Sequence, residues 1–222
     1  MNYISIFDII GPNMIGPSSS HTAGAASMAL LARKLFQKEP VKAEFTLYGS
    51  FAKTYSGHGT DKALLGGVLG FHPDDVRIRD AFKIAEARNV EYIFNIDHDT
   101  VAEHPNTADI LLTAGDGDTL FVRGVSVGGG KVKIVKINNI NVEFTGEYST
   151  LIVEQIDRPG VVAHISTCLS HQNINIAFMR LFRESKGTTA YTIIESDEKI
   201  PETIVEELLS SDSVIDTTVI QL

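Results

Sequence analysis

The sequence predicts an α/β protein in two parts, a mixed α/β domain over residues 1–147 and a smaller α+β domain over residues 148–222. Three observations carry that expectation. Alternating runs such as Val41, Ala43, Phe45, Leu47 and Val90, Tyr92, Phe94, Ile96 are interleaved with an alanine-rich stretch of helical spacing over residues 23–36. After Tyr148 the texture changes to six short elements in the order β-α-β-β-α-β, the ferredoxin-like arrangement of two helices on one face of a four-stranded antiparallel sheet. The 222 residues are 43% hydrophobic and 21% charged, which is enough apolar material for sizeable cores without disulfides or metals.

Each element has its own signal. Ala26, Leu30 and Leu31 share a face of the first helix, and Ser19 or Ser20 is the expected N-cap. A strand over residues 41–47 follows Pro40, and residues 49–59 read as a loop. A glycine-bearing helix is expected over 60–70, another helix over 78–88, and a strand over 90–96. Strands over 109–113 and 119–127 are separated by the turn residues Asp116, Gly117 and Asp118, and a further strand over 131–137 ends at Asn138 and Asn139. In the second part, strands are expected over 150–156, 174–183, 188–196 and 214–222. Helices are expected over 161–171 and from the first turn at Pro201, where a missing N–H costs nothing, to Leu209.

The formal charge of −9 argues against a nucleic-acid surface and favours a small-metabolite partner. No apolar run reaches the roughly 18 residues of a membrane span, and no secretory leader is legible at Met1, so the expected location is cytoplasmic. The chain has one cysteine, Cys168, so an intrachain disulfide is excluded and a thiolate-ligated cluster cannot be held by this chain alone. Cys168 falls between Ile165 and Leu169 on an apolar helix face, the place of a buried structural thiol. No metal ligand set is assigned.

Three loops share one inventory of side chains. Ser18, Ser19, Ser20, His21 and Thr22 follow Gly16-Pro17 just ahead of the first helix, where main-chain N–H groups are unpaired and the helix dipole attracts negative charge. A carboxylate would find donors there from backbone and side chains together. One cap needs one serine, so three serines followed by histidine and threonine exceed cap chemistry. His58, Thr60 and Asp61 lie in Gly57-His58-Gly59-Thr60-Asp61 at the start of the second expected helix, and His104 and Asn106 lie in His104-Pro105-Asn106-Thr107 before a strand. Taken singly, the second reads as a capped glycine loop and the third as an ordinary turn; together the three are expected to form one polar pocket. His72 and His98 read as solvated loop residues.

These motifs resemble those of the β subunit of bacterial iron–sulfur-dependent L-serine dehydratases, as does the run Ser126-Val127-Gly128-Gly129-Gly130. The tail, with Asp157-Arg158-Pro159-Gly160 and Ile174-Asn175-Ile176, resembles an ACT domain. The resemblance implies that the first part is a substrate-binding domain of an enzyme converting L-serine to pyruvate and ammonia. It also implies a 4Fe–4S cluster on a separate α subunit, in keeping with the single cysteine here. On that basis His21 and Ser20 are the expected catalytic residues, with His21 as general base or orienting group. Ser18, Ser19 and Thr22 are expected at the substrate carboxylate, with His58, Thr60, Asp61, His104 and Asn106 completing the pocket or the subunit interface. Asp61 is the candidate for the substrate ammonium. Asp157, Gly160 and Asn175 match effector-binding positions of the serine-sensing ACT domain of phosphoglycerate dehydrogenase, whereas Gln155 and Asp157 depart from the histidine and asparagine found there. ACT domains also pair between chains, so homodimerisation through this part is expected.

Two other classes compete. A regulatory amino-acid-binding protein without catalysis would use the same two regions. A hydrolase built on Ser20 and His21 lacks a Gly-x-Ser-x-Gly elbow, and adjacent residues at a helix start project in different directions. A pyridoxal-phosphate route would need a Schiff-base lysine, and neither Lys53 nor Lys62 has a supporting context.

Overall fold

A computed structural model describes residues 13–221. The chain divides into two compact units, Met1–Asn138 and Asn139–Leu222. Ser18 and a π-helical turn, Ser19–Ala23, lead into helix α1, Gly24–Phe36. Strand β1 (Pro40–Leu47), helices α2 (Gly49–Thr54) and α3 (Thr60–Val68), a 3₁₀ turn (Val76–Asp80) and helix α4 (Ala81–Ala87) follow. Strands β2 (Glu91–Ile96), β3 (Thr107–Ala114), β4 (Thr119–Gly128) and β5 (Lys131–Ile137) complete the first unit. Its strand order is β2-β1-β3-β4-β5, with β1 and β2 parallel and the other neighbours antiparallel. This is the mixed α/β architecture the sequence predicts.

Helix α1 explains why the sequence folds this way. Ten of its thirteen residues are buried, among them Met28, Leu31, Leu35 and Phe36. A helix apolar nearly all round belongs inside a protein, and α1 packs on α3 on one side and on β4 and β5 on the other. The contact with α3 is made by small residues. A Cβ added to Gly67 would stand 2.4 Å from the Ala26 carbonyl oxygen, 2.7 Å from the Ala29 Cβ and 2.8 Å from the Leu30 nitrogen. On the strand side, Ala43, Phe45 and Leu47 of β1 and Ile110 and Leu112 of β3 are fully buried. Cross-strand pairing sets Ala43 opposite Leu112, Phe45 opposite Ile110 and Leu47 opposite Ala108.

A turn at Asn138, whose φ is +49°, precedes strand β6 (Ile140–Phe144), an element the sequence reading did not foresee. The second unit then runs β7 (Ser149–Ile156), α5 (Val161–His171), β8 (Phe178–Arg183), β9 (Thr189–Ser196), α6 (Ile204–Leu208) and β10 (Val214–Ile220). The sheet order β10-β7-β9-β8, antiparallel throughout, is that of the ferredoxin-like arrangement. Its core joins Leu151, Val153 and Ile194 of the sheet to Ile165, Cys168, Leu169, Ile204 and Leu208 of the helices. Cys168 is thus the buried thiol expected, and burial pushes its pKa up.

Several expectations are corrected. The cap of the first helical segment is Ser18, because its Oγ accepts from the His21 N–H at 3.1 Å; Ser19 and Ser20 lie inside the π turn. The loop expected over 49–59 contains α2, and the helix expected over 78–88 begins as a 3₁₀ turn capped by Asp75. The strand expected from residue 174 begins at Phe178, since the Asn175 N–H is taken by the Glu198 carboxylate at 2.8 Å. The last strand stops at Ile220, and Leu222 lies outside the described residues. Among the described residues no helix is long and apolar enough to cross a membrane.

Gly67→Ala tests the helix contact. In an exposed helix that change would stabilise by about 1 kcal/mol. Here the added methyl meets main chain that cannot give way, so urea denaturation is expected to show a net loss of about 1–3 kcal/mol.

Candidate functional site

The π turn and α2 place one imidazole between two hydroxyls. Ser18 Oγ lies 3.3 Å from His21 Nδ1, and Ser50 Oγ lies 2.8 Å from His21 Nε2. Each hydroxyl can donate or accept, so either imidazole tautomer is satisfied. A proton arriving on one ring nitrogen is matched by rotation of the hydroxyl opposite. The His21 ring packs edge-on against Phe51, with centroids 5.4 Å apart, and against His58 at 5.0 Å. Burial first, and then the neighbouring His58, hold the His21 pKa below its ordinary value of about 6.5.

Ser50 is the residue the sequence reading missed. It reaches His21 because Gly49 turns the chain with φ of +54°, and a Cβ there would stand 2.6 Å from the Pro105 carbonyl oxygen. That same oxygen accepts the Ser50 N–H at 2.6 Å, serving the first turn of α2 in place of a side-chain cap. Beneath it, Tyr48 donates its hydroxyl to Asp109 at 2.8 Å, and Arg123 closes on the same carboxylate at 2.5 and 2.7 Å. The network ties β1, β3 and β4 together just before α2. The sequence signal for Ser50 was the Gly-Ser pair at the end of an alternating strand.

The other two loops meet this group. Thr22 Oγ1 donates to the His58 carbonyl at 2.9 Å, which joins the start of α1 to the loop before α3. Asn106 exchanges main-chain contact with Ser126: its carbonyl accepts the Ser126 N–H at 2.9 Å, and its side-chain amide reaches the Ser126 carbonyl at 3.4 Å. The His104 ring is engaged locally, with Nδ1 accepting the Asn106 N–H at 3.1 Å. The Ser19 and Ser20 hydroxyls, half-buried, have no hydrogen-bond partner among the described residues. Burial pushes the Asp61 carboxyl up, and its Oδ1 accepts the Lys62 N–H at 2.8 Å. Among the described residues, the buried polar atoms His58 Nδ1, Thr60 Oγ1 and Ser126 Oγ of the first unit have no hydrogen-bond partner. Orphaned groups of this kind are rare in folded proteins and mark places where a ligand or water belongs. His72 and His98 are exposed, as expected.

The expected effector residues lie in the second unit. Gly160, with φ of +96°, is the N-cap of α5. Asp157 Oδ2 accepts from the Gly187 N–H at 3.1 Å and from Arg183 at 3.2 Å, so that oxygen is committed to the β8–β9 hairpin. Among the described residues no group of three or more His, Cys, Asp or Glu side chains is arranged to hold a metal ion.

The depressed His21 value has a direct readout. In the full chain the His21 ring, followed by NMR, is expected to titrate below about pH 6.5 and to move upward in His58→Gln. Because the unfolded chain takes up this proton at higher pH than the folded one, stability is present above about pH 6.5 and declines as pH falls.

Comparison with known proteins shows the family. Residues 5–136 match the family model for the serine dehydratase beta chain, and residues 149–211 match that for the ACT domain. The chain is 43% identical over 218 residues to the probable L-serine dehydratase, beta chain, of Bacillus subtilis, covering 98% of each protein. It is 41% identical over 210 residues to the L-serine dehydratase, beta chain, of Peptoniphilus asaccharolyticus, covering 94% of each. L-serine dehydratase 2 of Escherichia coli matches 57% of this chain at 32% identity, through 32% of its own length. Matched over most of its first unit and along 94–98% of two beta chains, the chain belongs to the serine dehydratase beta-chain family.

Proposed function

We propose that this chain is the β subunit of an L-serine ammonia-lyase that works in the cytoplasm and is active only with its α subunit. Residues 1–147 form the substrate-binding domain and residues 148–222 the ACT domain. The observation that carries the reading is His21, held between Ser18 and Ser50 with its pKa lowered, beside buried polar atoms that have no partner. Such a group is neutral near pH 7 and able to take a proton.

Conversion of L-serine to pyruvate removes the Cα proton and expels hydroxide. The resulting aminoacrylate tautomerises to an imine, which water hydrolyses to pyruvate and ammonia. In this reading His21 takes the Cα proton, and Ser20 orients the reacting group. Ser18, Ser19, Thr22 and the N–H groups of the π turn bind the carboxylate, with His58, Thr60, His104 and Asn106 closing the pocket. Asp61 receives the ammonium.

Hydroxide is a poor leaving group, and the 4Fe–4S cluster supplies Lewis acidity for it when bound. The α subunit holds that cluster. Cys168 is buried in the core of the second unit, and no three-ligand group exists among the described residues, so this chain contributes substrate contacts and acid–base groups. The Escherichia coli relative, whose matching segment is 32% of its own length, is consistent with a larger partner portion. The ACT domain is assigned an amino-acid effector at Asp157, Gly160 and Asn175, and pairing with a second copy of the chain.

Anaerobic co-expression with the α subunit, followed by a pyruvate assay on L-serine, tests the reading. His21→Ala is expected to lower kcat by about a hundredfold or more. Ser18→Ala is expected to act mainly on KM if its contact is equally strong in ground and transition states. Near-normal turnover in His21→Ala would overturn the assigned role. Serine binding by this chain with no activity in the complex would favour a purely regulatory protein.

A further inference from the structure

The His21 ring is enclosed in a way that decides how a proton reaches it. It stands against Phe51, which is fully buried, and against His58. Its two nitrogens each face a hydroxyl, with Ser18 Oγ 3.3 Å from Nδ1 and Ser50 Oγ 2.8 Å from Nε2. A carbon acid approaching either nitrogen in the ring plane meets a serine oxygen first.

The two hydroxyls are not equivalent. Ser18 Oγ also accepts the His21 main-chain N–H at 3.1 Å, so its two lone pairs serve the cap and Nδ1–H together. Ser50 Oγ has Nε2 as its one partner among the described residues, at a separation short for an N–H donor and ordinary for a hydroxyl donor. That separation suits a proton given by Ser50 to Nε2, which leaves both oxygen lone pairs open. The main chain behind this hydroxyl is held at three points. The Ser50 N–H donates to the Pro105 carbonyl at 2.6 Å, the Ser50 carbonyl accepts from Thr54 Oγ1 at 2.9 Å, and Gly49 has no room for a Cβ. A half-buried hydroxyl fixed in this way has little freedom left to lose when it meets a substrate.

The geometry points to Ser50 Oγ as the atom that meets the Cα proton of the substrate and relays it to His21 Nε2. The inference deepens the reading of the His21 site and rests on it. As the Cα–H bond breaks, a new O–H bond forms at Ser50 Oγ, and the proton that the hydroxyl held moves to Nε2. The Cα–H electron pair becomes the second bond of Cα=Cβ, and the Cβ–O pair departs with hydroxide. Hydroxide then takes the Nε2 proton and leaves as water, which returns both residues to their starting state. A serine hydroxyl alone is too weak a base for a carbon acid. The imidazole behind it takes up the charge in the same step, as a base does for an activated serine.

Two measurements test the relay, one of them without turnover. In the full chain at neutral pH, NMR of the His21 ring nitrogens, assigned by their loss in His21→Ala, is expected to show the Nδ1–H tautomer with Nε2 bare. This is read on the unaltered chain and stands whether or not a variant folds. In the complex with the α subunit, Ser50→Ala is expected to lower kcat by about a hundredfold or more with KM little changed. L-Serine deuterated at Cα should then show a full primary isotope effect on kcat, because proton transfer is the step that slows. An Nε2–H tautomer, near-normal kcat in Ser50→Ala, or a small isotope effect in that variant would overturn the relay and leave His21 as the base. An unaltered complex inactive on L-serine would overturn the reading of the site itself, and the relay with it.

Discussion

The close approach of two helices at Gly67 governs the geometry of the first unit. With the Ala26 main chain where the first atom of any side chain would stand, α3 can lie against α1 only through small residues. The bond from Thr22 to the His58 carbonyl joins the N-terminal ends of the same two helices, so the helices run in the same sense. Two N-termini, each the positive end of a helix dipole, are thereby set side by side. The histidines that precede them come within ring contact. A larger residue at position 67 would pry these features apart together.

What the helices bring near, the sheet fixes in place. Asp109 is almost fully buried, and a buried carboxylate left unpaired costs several kcal/mol. Arg123 and Tyr48 satisfy it, locking the end of β1 against β3 and β4. From that anchored point Gly49 turns and Ser50 meets His21. The polar cup is therefore built from a helix start on one side and a strand end on the other. Desolvation and the second imidazole keep His21 neutral where an exposed histidine would be partly charged.

Much of this was legible in the sequence. Alternation at Val41, Ala43, Phe45 and Leu47 and the six-element order after Tyr148 reported both sheets, because burial of one strand face writes a period of two. The serine–histidine motif and the His58 loop pointed to the candidate site, because neither is needed for capping alone. What was missed has common physical causes. Helix α2 is six residues long, with no full apolar period to reveal it, so Ser50 stayed hidden in an apparent loop. The choice of Ser18 as cap depends on a π turn that propensity does not encode. Strand β6 is five residues long and follows directly on a turn, leaving little room for a periodic signal.

The central claim is that His21, held neutral between two serines, is the group that accepts the proton from substrate. The pH dependence of kcat in the complex with the α subunit tests it most directly. The account predicts a rising limb with an apparent pKa below about 6.5 that disappears from the residual activity of His21→Ala. The same limb persisting in His21→Ala would contradict it.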